Sequence, residues 1–282
     1  MSKSKKRSGS RLTILLVLIL IAGLGLLLYP TVSDWWNSFH QSRAIASYVQ
    51  TVANLDKEEY DRMLQEAQAY NRKLLTKADR YNFTEEDEEE YNAILDVTGT
   101  GIMGYVEIPS IGVSLPVYHS TNESVLQTAI GHIEGTSLPV GGVGTHCAVS
   151  GHRGLPAARL FTDLDQLKEG DTFLFQVLDR TLTYEVDQIR IVLPTELQDL
   201  EIDPQEDYCT LITCTPYGIN THRLLVRGKR IENITQDVNV VADAVQLEPV
   251  LVAPLVAAPI LLLLLVLLLI TTRRKKGKQK RR

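Results

Sequence analysis

Two charge-free apolar runs, one near each end of the 282-residue chain, set the first limit on what it can fold into. Leu12 to Tyr29 gives about 18 residues and Val250 to Thr272 about 23, each enough to cross a roughly 30 Å hydrocarbon core as a helix. A cleaved signal peptide would need a small-residue site after a short apolar stretch. Ala22 and Gly23 are small, but the run continues through Leu28 with no A-x-A-like site, so an uncleaved anchor is the better reading. The second run carries Pro254 and Pro259, which membrane helices tolerate. Thirteen of the 29 bases lie in residues 1–29 and 250–282, which hold no acid, and both basic clusters lie outward of their spans. Basic clusters stay on the cytoplasmic side, so both ends are expected there, with residues 30–249 outside the cell in a two-pass membrane protein. That middle part holds 16 bases against all 34 acids, a charge opposite to that of a nucleic-acid binder.

Between the spans the hydrophobic period changes once. Residues 32–75 carry apolar residues at threes and fours (Val32, Trp36, Phe39, Tyr48, Val52, then Tyr60, Met63, Leu64, Ala67, Tyr70), which predicts helix, and Asp56 with Glu59 reads as a capping box. A polar break, 76–83, precedes a second helix start. Thr84 is its N-cap, the acids 85–90 are a solvated first turn rather than a docking surface, and Tyr91, Ile94 and Leu95 form the buried face. From Gly101 onward, short β-branched runs separated by Gly, Pro, Asn and Asp predict about eight strands in a compact barrel or sandwich. These are 105–108, 115–117, 145–150, 172–177, 182–186, 189–193, 208–214 and 224–231. The expected division is a basic tail (1–11), an anchor (12–29), a helical extension (30–100), a β domain (101–232), a linker (233–249), a second span (250–272) and a basic tail (273–282).

The β domain holds all three cysteines. Cys209 and Cys214, five apart on one predicted strand, point to opposite faces and do not readily bridge, whereas a Cys147–Cys209 disulfide stays open. Cys214 closes the apolar run Thr210-Leu211-Ile212-Thr213 just before the turn-rich Thr215-Pro216-Tyr217-Gly218, so a strand end presents its thiol. Arg223 opens the next strand, which can return beside the sulfur. His152 follows another β run, between Gly151 and Gly154. Together these residues suffice for acyl transfer: a thiolate nucleophile, an imidazolium to protonate the leaving amine, and a guanidinium for the tetrahedral oxyanion. His119, His132, His146 and His222 are expected to be structural or hydrogen-bonding residues, and Asp163 and Asp165 loop acids. No metal site is expected.

Thr210-Leu211-Ile212-Thr213-Cys214 followed by Arg223 resembles the TLxTC…R signature of sortases, and Ser150-Gly151-His152-Arg153-Gly154 resembles their histidine motif. The likeness extends from Gly101 to Ile231 and includes Gly104-Tyr105-Val106-Glu107-Ile108-Pro109 and Gly131-His132-Ile133-Glu134-Gly135-Thr136-Ser137. With a C-terminal span and an N-terminal helical extension, the chain resembles class C, the pilus-assembling sortases of Gram-positive bacteria.

The resemblance implies an eight-stranded β-barrel with a helical extension and lid, flanked by two transmembrane helices, and a cysteine transpeptidase without metal or organic cofactor. Its partners would be pilin subunits bearing an LPxTG-like sorting signal and an acceptor lysine. Cys214 would be the nucleophile, His152 the general acid/base and Arg223 the oxyanion residue, with Thr213 lining the substrate groove, His222 shaping the pocket and loop 194–207 setting specificity. Class C relatives carry an Asp-Pro-aromatic lid; the corresponding residues here are Asp79-Arg80-Tyr81, with Arg80 at the proline position. The expectation is that Tyr81 covers Cys214, that Asp79 pairs with Arg223, and that loss of the proline's fixed φ loosens the segment. The competing functions are a housekeeping sortase that attaches proteins to cell-wall precursor and a tethered peptide-binding receptor without turnover. A papain-like order is excluded because His152 precedes Cys214.

Overall fold

A computed structural model describes residues 8–77 and 79–233. The second apolar run, the linker from residue 234 and both terminal basic clusters up to residue 7 and from 273 lie outside the described residues. The first run becomes part of α1 (Ser8–Ala53), 46 residues and thus about 70 Å of helix, with Pro30 inside it. Among the described residues it is the one helix long and apolar enough to cross a membrane.

After a break at 54–56, α2 (Lys57–Thr76) starts from Asp56, whose carboxylate accepts from Glu59 N at 2.8 Å. The capping box expected there is half made. The reciprocal one lies at α3 (Glu85–Ala93), where Thr84 and Asp87 cap each other's backbone amides. Both helices are fastened to the β domain. Asn71 in α2 clamps Leu138 at two points, donating to its carbonyl at 3.0 Å and accepting from its amide at 2.7 Å. Tyr91 in α3 is fully buried, and its hydroxyl accepts from Ser120 N and meets His132 Nδ1 at 2.9 Å.

Eight strands follow: β1 (Ile102–Ile108), β2 (Val113–Tyr118), β3 (Ile130–His132), β4 (Thr145–Ser150), β5 (Thr172–Val177), β6 (Arg180–Val192), β7 (Asp207–Thr215) and β8 (His222–Ile231), with a one-turn helix α4 (Glu123–Leu126) before β3. They close into a barrel in the order β1-β2-β3-β4-β7-β8-β6-β5. The β2/β3 and β4/β7 pairs are parallel and the others antiparallel. Closure leaves no unpaired edge. The runs 182–186 and 189–193, read above as two strands, are one strand bent by a bulge between Val186 and Gln188. The three-residue β3 was not foreseen. Alternation fills the interior: Phe173, Phe175 and Val177 of β5 and Cys209 and Leu211 of β7 point in with Tyr184 and Val226. Cys147 and Cys209 are register partners across β4/β7, both free thiols in this core.

Candidate active site

Strand pairing brings two of the three expected residues together. Cys214 and Arg223 are directly opposed across the antiparallel β7/β8 pair, which puts their Cβ atoms about 4.5–5.5 Å apart on one face. Arg223 is held by its own turn, Nη1 donating to the carbonyls of Asn220 (3.3 Å) and His222 (3.1 Å). Its other donors meet no protein acceptor among the described residues. The turn opens with a cis Thr215–Pro216 peptide.

The histidine segment is stapled to the same strand end. Gly151 N donates to Ile212 O at 3.0 Å, and the Thr213 hydroxyl donates to Gly151 O at 2.8 Å. These two bonds carry the chain from β4 across to β7 one residue before His152. Beyond it, Phe161 N donates to His152 O at 3.2 Å, closing the 152–161 loop on itself. Tyr217, from the β7–β8 turn, lies where a side chain at Gly154 would be: a Cβ there, at φ +77°, would come within 2.9 Å of the ring. The Arg153 guanidinium lies over the same ring and pairs with Asp165. Asp163 pairs in turn with Arg159. His222 is half-buried and its Nδ1 meets Thr221 Oγ1.

The structure corrects the role expected of Thr213. It is 1% exposed, and its hydroxyl is engaged by Gly151, so it does not line a groove with that group. Odd positions of β7 point inward and even positions outward, which buries Thr213 and turns Cys214 to the outer face with Ile212. That face is floored by Ala148, Ile212, Leu225 and Val192, and Leu200 of the β6–β7 loop packs onto it.

The segment between α2 and α3 also departs from expectation. Asp79 is exposed and forms no ion pair with Arg223. The residue that turns inward is Arg80, 8% exposed, which donates to Leu200 O (2.9 Å) and Tyr81 Oη (3.1 Å) and lies 3.4 Å from Glu201. Tyr81 is half-buried against Gly135, where a Cβ would fall 2.7 Å from the ring and 2.5 Å from Arg80 O. A buried cation thus anchors a segment that sequence reasoning, seeing only a lost proline, expected to be loose. The same loop is held from below by His146, whose Nδ1 meets Glu201 O at 2.8 Å and whose Nε2 meets Thr210 Oγ1 at 2.7 Å. Burial, with the Arg227 and Arg80 cations nearby, lowers its pKa to about 4. His119 and His132 are likewise buried and hydrogen-bonded through both ring nitrogens.

Residues 106–231 match the Sortase domain. Among solved structures the chain is similar to sortase C1 from Streptococcus agalactiae, at 51% identity and a TM-score of 0.66 over 68% of this chain and 99% of that one. It is also similar to a Streptococcus pneumoniae sortase C, at 45% identity and a TM-score of 0.60 over 67% and 96%. Of curated relatives, sortase A of Bacillus anthracis is 31% identical over 140 residues, half of this chain and 64% of the relative, so the match spans somewhat under two thirds of that protein. With the closed eight-stranded barrel, the Thr213-Cys214…Arg223 strand pair and class C structures as its neighbours, the chain belongs to the sortase family.

Proposed function

We propose that this protein is a membrane-anchored cysteine transpeptidase of the pilus-assembling kind. The observation that carries the reading is the register of Cys214 opposite Arg223 at the strand end to which the His152 segment is bonded. In this mechanism the Cys214 thiolate attacks the Thr–Gly carbonyl of an LPxTG-like signal. The free donors of Arg223 hold the developing oxyanion, an interaction worth about 10²–10³ in rate when such a donor is removed. His152 protonates the departing glycine amine, leaving a thioacyl enzyme, then accepts the proton of an incoming lysine amine as the isopeptide bond forms. The segment 79–81 acts as a lid over the groove, fastened through Arg80, and the apolar part of α1 anchors the enzyme with its barrel outside the cell.

The pilin reading draws on neighbours that are sortase C proteins at 40–51% identity, one of them described as sortase C1 of a pilus island. A housekeeping role would use the same chemistry with a cell-wall precursor amine. Incubating the enzyme with an LPxTG-type peptide and recording intact mass should give an adduct that Cys214→Ala abolishes. Supplying a pilin with its acceptor lysine should then give a covalent ladder. No adduct on Cys214 would reject the transpeptidase, and an adduct without a ladder would reject the pilin acceptor.

A further inference from the structure

The extramembrane half of α1 has two faces of different chemistry. Asp34, Asn37, Gln41 and Tyr48, at helical spacing, face the barrel: Asp34 Oδ1 accepts from Arg159 N (2.8 Å), Asn37 donates to Ala157 O (2.8 Å) and Gln41 to Thr128 O (2.6 Å). At about 100° per residue, Val32 and Phe39 fall on the opposite side, and Tyr29 and Trp36 on its flank, Trp36 at the edge of the groove that Asn37, Gln41, Pro116 and Thr128 line. These four apolar residues are exposed, Trp36 by 56% and Phe39 by 46%, and Trp35 stacks on Phe39 beside them. A stripe of this size turned to water is unusual for a soluble surface.

Its height on the helix explains it. About 20 residues at 1.5 Å cross the hydrocarbon core, and the head-group layer adds roughly five more. Counted from Leu12, the first residue after Arg11, the core ends near Thr31 and the head-group layer covers Val32 to about Trp36. Aromatic side chains concentrate at that depth. The Arg43 guanidinium, 5.6 Å from the Phe39 ring centroid, supplies a cation just above, suited to anionic lipid.

We propose that this stripe meets the lipid head-group layer with Val32 and Trp36 bedded in it, Tyr29 just inside the hydrocarbon and Phe39 at its outer edge, and that α1 thereby holds the His152 end of the barrel at the membrane surface. The second half follows from the pins. Asp34 and Asn37 grip Arg159 and Ala157, and Arg159 is two residues, at most about 7 Å of chain, from Phe161, whose amide bonds His152 O. Val143 lies in the turn beyond the opposite end of β4, a six-residue strand about 20 Å long. The inference rests on α1 being the membrane anchor.

The two tryptophans of the chain are both in this stretch, so Trp35→Phe leaves Trp36 as the sole emitter. The test reconstitutes the full chain in phosphatidylcholine–phosphatidylglycerol vesicles, collected by flotation. Trp36 should shift to the blue relative to detergent solution, lose its quenching by aqueous acrylamide, and be quenched more by lipids brominated near the head group than near the acyl end. In a Cys214→Ala background, a fluorophore on Pro156→Cys should be quenched by head-group spin-labelled lipid more than one on Val143→Cys. Open quenching of Trp36 by acrylamide, or quenching by neither reagent because protein covers the stripe, would overturn the head-group seat. Equal quenching at 156 and 143 would overturn the posture. A chain that does not float at all would overturn the anchor reading itself.

Discussion

Thr213 and Cys214 are neighbours on β7, and their side chains leave it in opposite directions, one to fasten the histidine segment and one to the outer face, where the proposed mechanism places the substrate. In the proposed mechanism this pairing makes Thr213 a positioning residue. Thr213→Val keeps the shape and removes the hydroxyl, leaving Gly151 O buried without that donor at about 1–3 kcal/mol. The larger effect is expected in turnover, because a misplacement of about 1 Å at a reacting group can cost about 10²-fold. Steady-state kinetics with a sorting peptide should show kcat falling with KM little changed, and Thr213→Ser should recover most of the loss. A valine enzyme that is merely less stable, with kcat intact, would reduce Thr213 to packing.

At the scale of elements, the β6–β7 loop is the meeting point, gripped by Arg80 at Leu200 and by His146 at Glu201. Hydrogen bonds to a buried cation contribute about 1.5–3 kcal/mol, so Arg80→Ala should raise the open population of the 79–81 segment by roughly 10- to 100-fold. The rate at which a small thiol reagent modifies the enzyme reads this directly. Cys147 and Cys209 are at most 2% exposed, so the fast thiol is Cys214. An unchanged rate would mean that the segment guards nothing.

The other grip is pH-dependent. A neutral His146 donates from Nδ1 to Glu201 O and accepts at Nε2 from Thr210, an arrangement a second proton breaks. Its folded pKa of about 4 lies below the usual 6.5, so the unfolded chain binds the extra proton between these values. Stability therefore rises with pH across that window, and on acidification from pH 6.5 to 4 a contribution on the order of 3 kcal/mol is lost. Urea denaturation at a series of pH values should show this slope, and His146→Asn should flatten it.

Legibility in the sequence followed the range of the forces involved. The α3 cap at Thr84, the apolar alternation of β5 and the motif around Cys214 depend on residues a few positions apart, and all could be read. The bulged β6 was split because Asp187 interrupts its apolar run, although β8 pairs across the break. The Arg80 anchor was invisible because Leu200, its acceptor, lies 120 residues away. Thr213 looked like a groove residue until the strand's parity and the Gly151 carbonyl 62 residues upstream were known.

For the whole molecule the question is whether α1 is only a tether, and Tyr48 makes it part of the barrel. Its ring is fully buried, and its hydroxyl donates to Met103 O at 3.1 Å and accepts from Leu178 N at 2.7 Å. Both partners lie at irregularities in the barrel wall. Met103 falls within the shift of register between β1 and β2, and Leu178 has a φ of +51° in the β5–β6 turn. One phenol thus satisfies two backbone groups where regular strand pairing is interrupted. Tyr48→Phe retains the packed ring and strips those groups of their partner, at about 1–3 kcal/mol, or roughly 2–4 °C in Tm per kcal/mol for a domain of this size. Tyr48→Ala adds a cavity and should cost about 3–5 kcal/mol. If α1 were an independent tether, thermal unfolding of the barrel, followed by near-UV circular dichroism, would not change in either variant. The expected result is a fall in both, larger for alanine, with α1 and the barrel unfolding as one cooperative unit.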